Sequence, residues 1–187
     1  MFQQILAMLA AQLIIMFRGS KPTTRFKPVA GFEIDRFLGT WYVAAYVPQP
    51  FEKKLSSTSS EYSRGEGSKV SVADRGYDRK KGQWHCEDTV ASFKEGENVG
   101  WLVVDALNPL KKHRKFIHLN EDQTQAIVVG LTMRTVWIVY RDRNLTKADL
   151  DALINRADEL GFKTSKLVRV DQSESFGSNS QAGLKAA

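Results

Sequence analysis

Two short motifs, Gly39-Thr40-Trp41-Tyr42 and Trp137-Ile138-Val139-Tyr140-Arg141, bracket the middle of this chain. The first opens a run of strand-like segments. The second closes it, just ahead of the one amphipathic helix of the globular region. Residues 41–47, 57–64, 69–74, 84–93, 100–106, 114–119, 124–130 and 135–141 read as strands. Pro48-Gln49-Pro50 ends the first, because proline cannot donate to a ladder. Gly65-Glu66-Gly67 and Gly96-Glu97-Asn98 supply glycine-containing hairpin connections. Short strands at regular spacing, joined mostly by hairpin-length turns, predict an all-β, eight-stranded up-and-down antiparallel barrel rather than a sandwich.

The helix is well marked. Asn144 or Thr146 caps it, with Asp149 in a box-like position, and Leu150, Leu153, Ile154, Ala157 and Leu160 form one apolar face. Gly161 ends it, and Leu167-Val168-Arg169-Val170 reads as one more short strand. From Ser173 the chain is Ser, Gly, Gln and Ala with few apolar anchors, which predicts a flexible tail over 173–187. The 187 residues suffice for one domain, placed at 31–172, with 42% apolar content to build its core. A net charge of +6 favours anionic partners, but its scatter along the chain selects no nucleic acid. Cys86 is the sole cysteine, so no intramolecular disulfide forms, which leans towards a reducing compartment.

The ends differ in character from the middle. Residues 2–17 carry no charge and include Ile5-Leu6-Ala7-Met8-Leu9 and Leu13-Ile14-Ile15-Met16, which predicts a hydrophobic helix within the segment 1–18. A spanning helix needs roughly 20 apolar residues and a signal core roughly 7 to 15, so the run sits between the two. No cation precedes it, Arg18, Lys21, Arg25 and Lys27 follow, and Met16-Phe17-Arg18 is a poor cleavage site. Three fates remain open: an uncleaved membrane anchor, a cleaved signal that leaves the protein secreted or periplasmic, and a soluble packed helix. An anchor places the barrel on the cytoplasmic side, since cations follow the run. No cysteine lies nearby to take a lipoprotein acyl group. Residues 19–30 read as a linker.

The region 31–172 resembles the lipocalin family, closest in character to its bacterial and apolipoprotein-D-like branch. Phe32-Glu33-Ile34-Asp35-Arg36-Phe37-Leu38-Gly39-Thr40-Trp41-Tyr42 is similar to the family's first signature, a helical turn leading into Gly-x-Trp. Trp137-Ile138-Val139-Tyr140-Arg141 resembles its third, and Gly161-Phe162-Lys163-Thr164-Ser165-Lys166-Leu167 the stretch after its helix. The second signature is missing: Asn120-Glu121-Asp122-Gln123-Thr124-Gln125-Ala126 lacks the Asp and Tyr common there. The resemblance implies a calycin-type barrel that binds, stores or transports a small hydrophobic or amphipathic ligand such as a fatty acid or lysophospholipid, near a membrane.

Physical argument assigns the bracket a structural role. An eight-stranded barrel leaves room for one small ligand, and one end must be plugged to keep that ligand from water. Trp41 fills the closed end, and Arg141 stacked on its indole adds a cation–π contact of about 0.5–2 kcal/mol. If both point inward, strand alternation puts Val43 and Ala45 on that face of the first strand and Trp137 and Val139 on that of the last. The family's inward register adds Ser60, Tyr62, Ser71, Ala73, Thr89, Ala91, Phe93, Leu102 and Val104. That lining is largely apolar. A cationic rim is expected at the open end from Lys53, Lys54, Arg79, Lys80, Lys81, Lys111, Lys112 and Arg114, with His113 and Lys115 in the same loop.

Catalysis has little support. No triad order, zinc spacing or phosphate-cradling glycine loop is present, and neither a metal nor a cofactor is expected. His85 and Cys86 are adjacent, so on a strand they face opposite ways and cannot act as a base–nucleophile pair. The expected function is ligand carriage rather than catalysis, with a barrel enzyme acting on a lipid or isoprenoid, or an anchored interaction module with a filled barrel, as alternatives. Oligomeric state is not legible.

Overall fold

Alternation of side chains along eight consecutive strands gives the chain two apolar layers, one inside a barrel and one outside. The computed structural model describes residues 21–48, 55–105 and 113–176. Its strands are β1 (Gly39–Tyr46), β2 (Ser56–Arg64), β3 (Val70–Asp78), β4 (Gln83–Phe93), β5 (Trp101–Val104), β6 (His113–Leu119), β7 (Gln125–Val129) and β8 (Val136–Tyr140), with a short β9 (Val168–Arg169). Each pairs antiparallel with its neighbour, and β1 pairs with both β8 and β2, which closes the barrel. The basic rim expected at Lys53, Lys54, Lys111 and Lys112 lies outside the described residues, as do residues 2–17.

The closed end is an aromatic plug. Helix α1 (Ile34–Phe37) delivers Phe37 beneath the barrel, where its ring stacks on Trp41 at 4.4 Å and meets Phe116 edge-on at 4.5 Å. Trp41 Nε1 donates to the Phe37 carbonyl at 2.8 Å, so the indole's one polar atom is satisfied in a fully buried site. The Arg141 guanidinium lies 4.4 Å from the Trp41 ring and donates to the Arg36 carbonyl at 2.8 Å. Gly39 explains the spacing of the first motif. Its φ is +96°, and a Cβ there would sit 3.0 Å from Arg141 Nη1, so backbone and guanidinium together demand glycine.

The outer layer receives helix α2 (Lys147–Glu159), capped by Thr146, whose hydroxyl accepts from the Asp149 amide. Leu153 and Ala157 pack with Ile127, Ile138, Ala44 and Ala45 on the outer surface of β7, β8 and β1. That placement corrects one expectation. A bulge between Val43 and Ala45 shifts the register of β1, so Ala45 faces the helix instead of the cavity, and Tyr46 pairs with inward-facing Trp137.

One edge of β1 is shared. Its lower half pairs with β2 through Tyr42, and its upper half with β9 at Ala45 and Tyr46. Where β1 and β2 diverge, the segment after β9 fills the seam: the Val170 amide donates to Ala44, the Ser57 amide to Asp171, and Gln172 Nε2 to both Val43 and Thr58 carbonyls at 2.8 and 2.9 Å. The strap continues through residues 173–176, the first four of the segment expected as a flexible tail, whose remaining residues 177–187 lie outside the described residues. Arg143 donates to the Gln172 and Glu174 carbonyls, and Phe176 packs edge-on against Trp84 at 5.1 Å. Backbone and side-chain hydrogen bonds, which composition does not encode, hold residues 173–176.

The N-terminal part of the described chain straps the fold from outside. The chain enters at the β7–β8 turn: the Met133 amide donates to Lys21, the Thr23 amide to Leu131, and Thr23 Oγ1 to Gly130 at 2.6 Å. It then descends along the barrel wall to the closed end, where the Val29 amide donates to Phe116 and its carbonyl accepts from Gly100. Lys115 is buried under this strap, its Nζ 4.0 Å from the centre of the Trp101 ring and facing the Thr23 and Phe26 carbonyls. It therefore belongs to the wall and not to a rim loop.

Two outcomes test these contacts. Trp41→Ala is expected to lower unfolding free energy by roughly 3–5 kcal/mol in urea titrations, as core aromatic truncations do. Asp171 has its pKa held below the ordinary 3.8, chiefly by the Arg79 hydrogen bond. Its contribution is complete above that value and is lost as pH falls through the depressed one. Acidification below about pH 4, or Asp171→Asn at neutral pH, is expected to lower the hydrogen-exchange protection factor of the Ser57 amide, taken against the intrinsic rate at the same pH, while leaving the amides of β7 protected.

Candidate functional site

Inside the barrel, the register of each pair of strands decides what the interior contains. Ser60 lies opposite Trp41 and Asp74, Tyr62 opposite Val72, and Val70 opposite Ala91. The inward residues of β3 are therefore Val70, Val72 and Asp74, one position away from the expected Ser71 and Ala73. Those two lie on the outer surface, where with Glu61, Ser63, Asp88 and Val90 they line a shallow groove of about 430 Å³. The local signal was present: Val70 and Val72 alternate with Ser71 and Ala73, and the apolar pair takes the core. Val43, Ser60, Tyr62, Thr89, Ala91, Phe93, Leu102, Val104, Trp137 and Val139 all lie on the inward side by pairing or by membership of the inner cluster.

Asp74 has a reason to point inward. Arg114, expected at the rim, pairs with Leu102 on β5 and extends into the barrel with its side chain only 9% exposed. Its Nη2 contacts Asp74 Oδ2 at 2.5 Å, and its Nη1 donates to Tyr62 Oη at 2.7 Å and Ser60 Oγ at 3.1 Å. Ser60 Oγ in turn donates to the other Asp74 oxygen at 2.5 Å. Burial pulls the guanidinium towards losing its proton, but the Asp74 charge and the Tyr62 hydroxyl outweigh it and hold the pKa above its ordinary value. Burial also raises the Tyr62 pKa, so the phenol stays neutral. The alternation Arg114, Phe116 on one strand was the signal that sequence reasoning missed, because Arg114 was grouped with a run of loop cations.

This layer divides the barrel. Below it, Val70, Val72, Ala91, Leu102, Phe116, Ala126 and Val128 fill the space down to Trp41 and Phe37. Above it, towards the open end, one wall is polar: Glu87 pairs with Asp74, His85 with Gly76, and Asp78 closes β3. The other wall presents Val43, Trp137 and Val104. Leu55 and Thr58 overhang Gly76 so closely that a Cβ there would lie 2.7 Å from Leu55 Cδ1. Asp78 Oδ1 accepts from the Lys80 and Lys81 amides; burial pushes its pKa up, yet these amides pull it below the ordinary range. His85 Nε2 lies 3.7 Å from Asp78 Oδ2, beyond hydrogen-bond reach. His85 Nε2 and Thr58 Oγ1 are both shielded from solvent without a hydrogen-bond partner among the described residues.

Of the remaining expected residues, Arg79 is at the open end but engaged, donating to Asp171 and Ser173, and Lys80 is exposed beside it. Cys86 pairs with Arg75 on the outer face, opposite in direction to His85, and burial raises its thiol pKa. Among the described residues, no three His, Cys, Asp or Glu side chains gather as a metal-binding set.

The buried pair gives a sharp stability test. Asp74→Asn leaves Arg114 charged without its anion and is expected to cost about 3–5 kcal/mol in denaturant unfolding, whereas Asp74→Leu combined with Arg114→Leu returns most of it.

Comparison with known proteins agrees with this architecture. An outer membrane lipoprotein Blc of Vibrio cholerae serotype O1 is 33% identical over 147 residues, covering 78% of this chain and 86% of that protein. The Blc of Escherichia coli K12 is 26% identical over 168 residues, covering 90% and 95%. Insecticyanin from the tobacco hornworm Manduca sexta superimposes with a TM-score of 0.63 at 18% identity, covering 80% of this chain and 85% of that one. The Lipocalin-like domain model matches residues 32–172, the span from Phe32 of the plug to Gln172 of the seam, and the chain belongs to that family.

Proposed function

We propose that this chain binds a small amphipathic lipid, of the fatty acid or lysophospholipid class, in the upper half of its barrel and stores or carries it beside a membrane. Family membership supports the binding of a small hydrophobic molecule. The observation that carries the finer reading is the pair of shielded, unpartnered polar atoms, His85 Nε2 and Thr58 Oγ1, above the Arg114 layer and across from Trp137. Buried polar atoms are hydrogen-bonded in nearly all proteins, so a ligand group or a water held with it completes these two. Apolar contact with Val43, Val104 and Trp137 supplies affinity at roughly 25 cal/mol per Å² removed from water.

The depth of the proposed site also limits how the ligand lies. From Asp74 to Asp78 the strand climbs four residues, which at about 3.3 Å each and a tilt near 40° is roughly 10 Å of depth. An extended long acyl chain does not fit whole and must fold or leave part of itself in the mouth. Glu87 and Asp78 on the polar wall disfavour a carboxylate deep inside, so an acidic head stays near Arg79 and Lys80 at the open end.

The relatives compared above are outer membrane lipoproteins by name, which supports membrane association. Among the described residues no helix is long and apolar enough to cross a membrane. The uncharged residues 2–17 are the segment that supplies the contact.

Titration with oleic acid or lysophosphatidylcholine is expected to give a saturable tryptophan fluorescence change that Trp137→Phe largely removes. Native mass spectrometry should show one retained lipid. His85→Ala should weaken binding about fivefold, the value of one ordinary hydrogen bond. Flat fluorescence together with no retained lipid overturns the carrier reading.

A further inference from the structure

The described fold also restricts which end of the barrel meets a membrane. The chain is pinned at the β7–β8 turn by three hydrogen bonds, those of Lys21, the Thr23 amide and the Thr23 hydroxyl. That turn is at the open end, opposite the Trp41 plug. Three residues lie between Phe17, the last of the uncharged run, and Lys21, and a fully extended chain covers at most about 14 Å over those four steps. Phe17, where the apolar run ends, therefore lies within about 14 Å of the pinned Lys21 at the open end.

Charge is divided in the same direction. At the open end the β3–β4 turn carries Arg79, Lys80 and Lys81, all exposed, and Arg134 and Lys21 flank the chain entry. Among the described residues the acids on the outside there are Asp105 and Asp171, the latter already paired with Arg79, while Asp78 under the same turn and Glu87 below it face the interior. At the closed end acids prevail: Glu66, Glu95, Glu97, Glu121 and Asp122 in the turns, Glu33 at the start of α1 and Asp35 on it, against Lys69, Lys94, Arg36, Arg64 and the Arg141 of the plug. Arg64 and Arg36 are themselves paired with Asp35 and Glu33. Such a separation gives the barrel a dipole along its axis that turns the open end towards negative charge. Leu131, at the tip of the β7–β8 turn, is 41% exposed beside the pinned entry, a large apolar side chain where a lipid surface would lie.

We propose that the open end of the barrel docks on an anionic lipid surface, with Lys21, Leu131, Arg134, Lys80 and Lys81 against the headgroups and the closed end directed away. This rests on the reading of residues 2–17 as a membrane contact and adds its orientation. Docked this way, the chamber opens onto the bilayer, and an amphipathic ligand passes between the two without crossing bulk water.

The test uses the full chain carrying Cys86→Ser and one new labelling site, Leu131→Cys at the open end or Ser68→Cys at the β2–β3 turn of the closed end. Each is labelled with an environment-sensitive fluorophore and mixed with phosphatidylcholine vesicles containing phosphatidylglycerol. Co-flotation reports membrane contact; quenching by doxyl-labelled lipid reports which end is near. Flotation with several-fold stronger quenching at position 131 than at 68 is the expected result. Flotation with equal or stronger quenching at position 68 overturns the orientation alone and leaves the membrane contact standing. No flotation overturns both. A Lys80→Glu/Lys81→Glu double variant is expected to lower partitioning onto phosphatidylglycerol vesicles by at least about tenfold, from roughly fivefold for each charge at an anionic surface; unchanged partitioning removes the electrostatic half of the proposal.

Discussion

A guanidinium enclosed in a barrel must have its anion enclosed with it, and most of the interior of this protein follows from that requirement. Arg114 is desolvated among apolar strands, so Asp74 must face it, and Ser60 and Tyr62 must complete the hydrogen bonds that neither ion can obtain from water. Four residues on three strands are thereby fixed in one layer. An apolar layer of the same volume would be no less stable, so the pair contributes shape and polarity more than stability. It places a hydrogen-bonded floor partway up a barrel whose lower half is filled by aromatic and aliphatic side chains down to Trp41 and Phe37.

That floor gives the two ends different roles. The closed end is rigid because three kinds of contact coincide there: the Phe37–Trp41 stack, the Arg141 cation over the indole, and the Gly39 backbone that leaves the guanidinium room. The upper half is held less directly. β1 and β2 part above Tyr42 and Ser59, and the wall is completed by residues 170–174 through single hydrogen bonds, with Gln172 bridging both strands by one amide. Side-chain bridges open at lower cost than a strand ladder, so any widening of the barrel to admit a bulky ligand falls on this seam before it falls on β3 to β8.

The barrel was legible in sequence because its signals are local and repeated: turns at regular spacing, a capped helix after the last strand, and the Trp41 and Arg141 bracket. The inward face was legible wherever apolar alternation was unbroken, as from Leu102 to Val104. It was lost at two kinds of position. A bulge such as that after Val43 changes which residues face inward without leaving a mark in composition, and it moved Ala45 to the helix side. A buried ion pair defeats the rule that charges lie outside; Arg114 followed a run of cations and Asp74 ended a predicted strand, so each looked like surface until the other was placed beside it. The strap at 173–176 was hidden for a third reason, since backbone donors and acceptors carry no sequence signature.

Strand alternation and long-range charge meet at the mouth. The interior there is acidic on one wall, from Glu87 and Asp78, while the outer edge is basic, from Arg79 to Lys81. The two signs lie a few residues apart on the same pair of strands. A field of that form repels an anionic head from the floor and holds it at the rim, while an uncharged or zwitterionic head meets no such barrier. Depth and charge therefore act together. For the proposed ligand, the floor would limit how far the apolar part descends, the wall would decide which heads follow it, and the basic edge that would retain an anionic head is the same edge we propose meets an anionic bilayer. Under the proposed function and docking, ligand retention and membrane approach would draw on the same side chains, so a bilayer that engages Lys80 and Lys81 would compete with the ligand head for them and favour release where the protein docks.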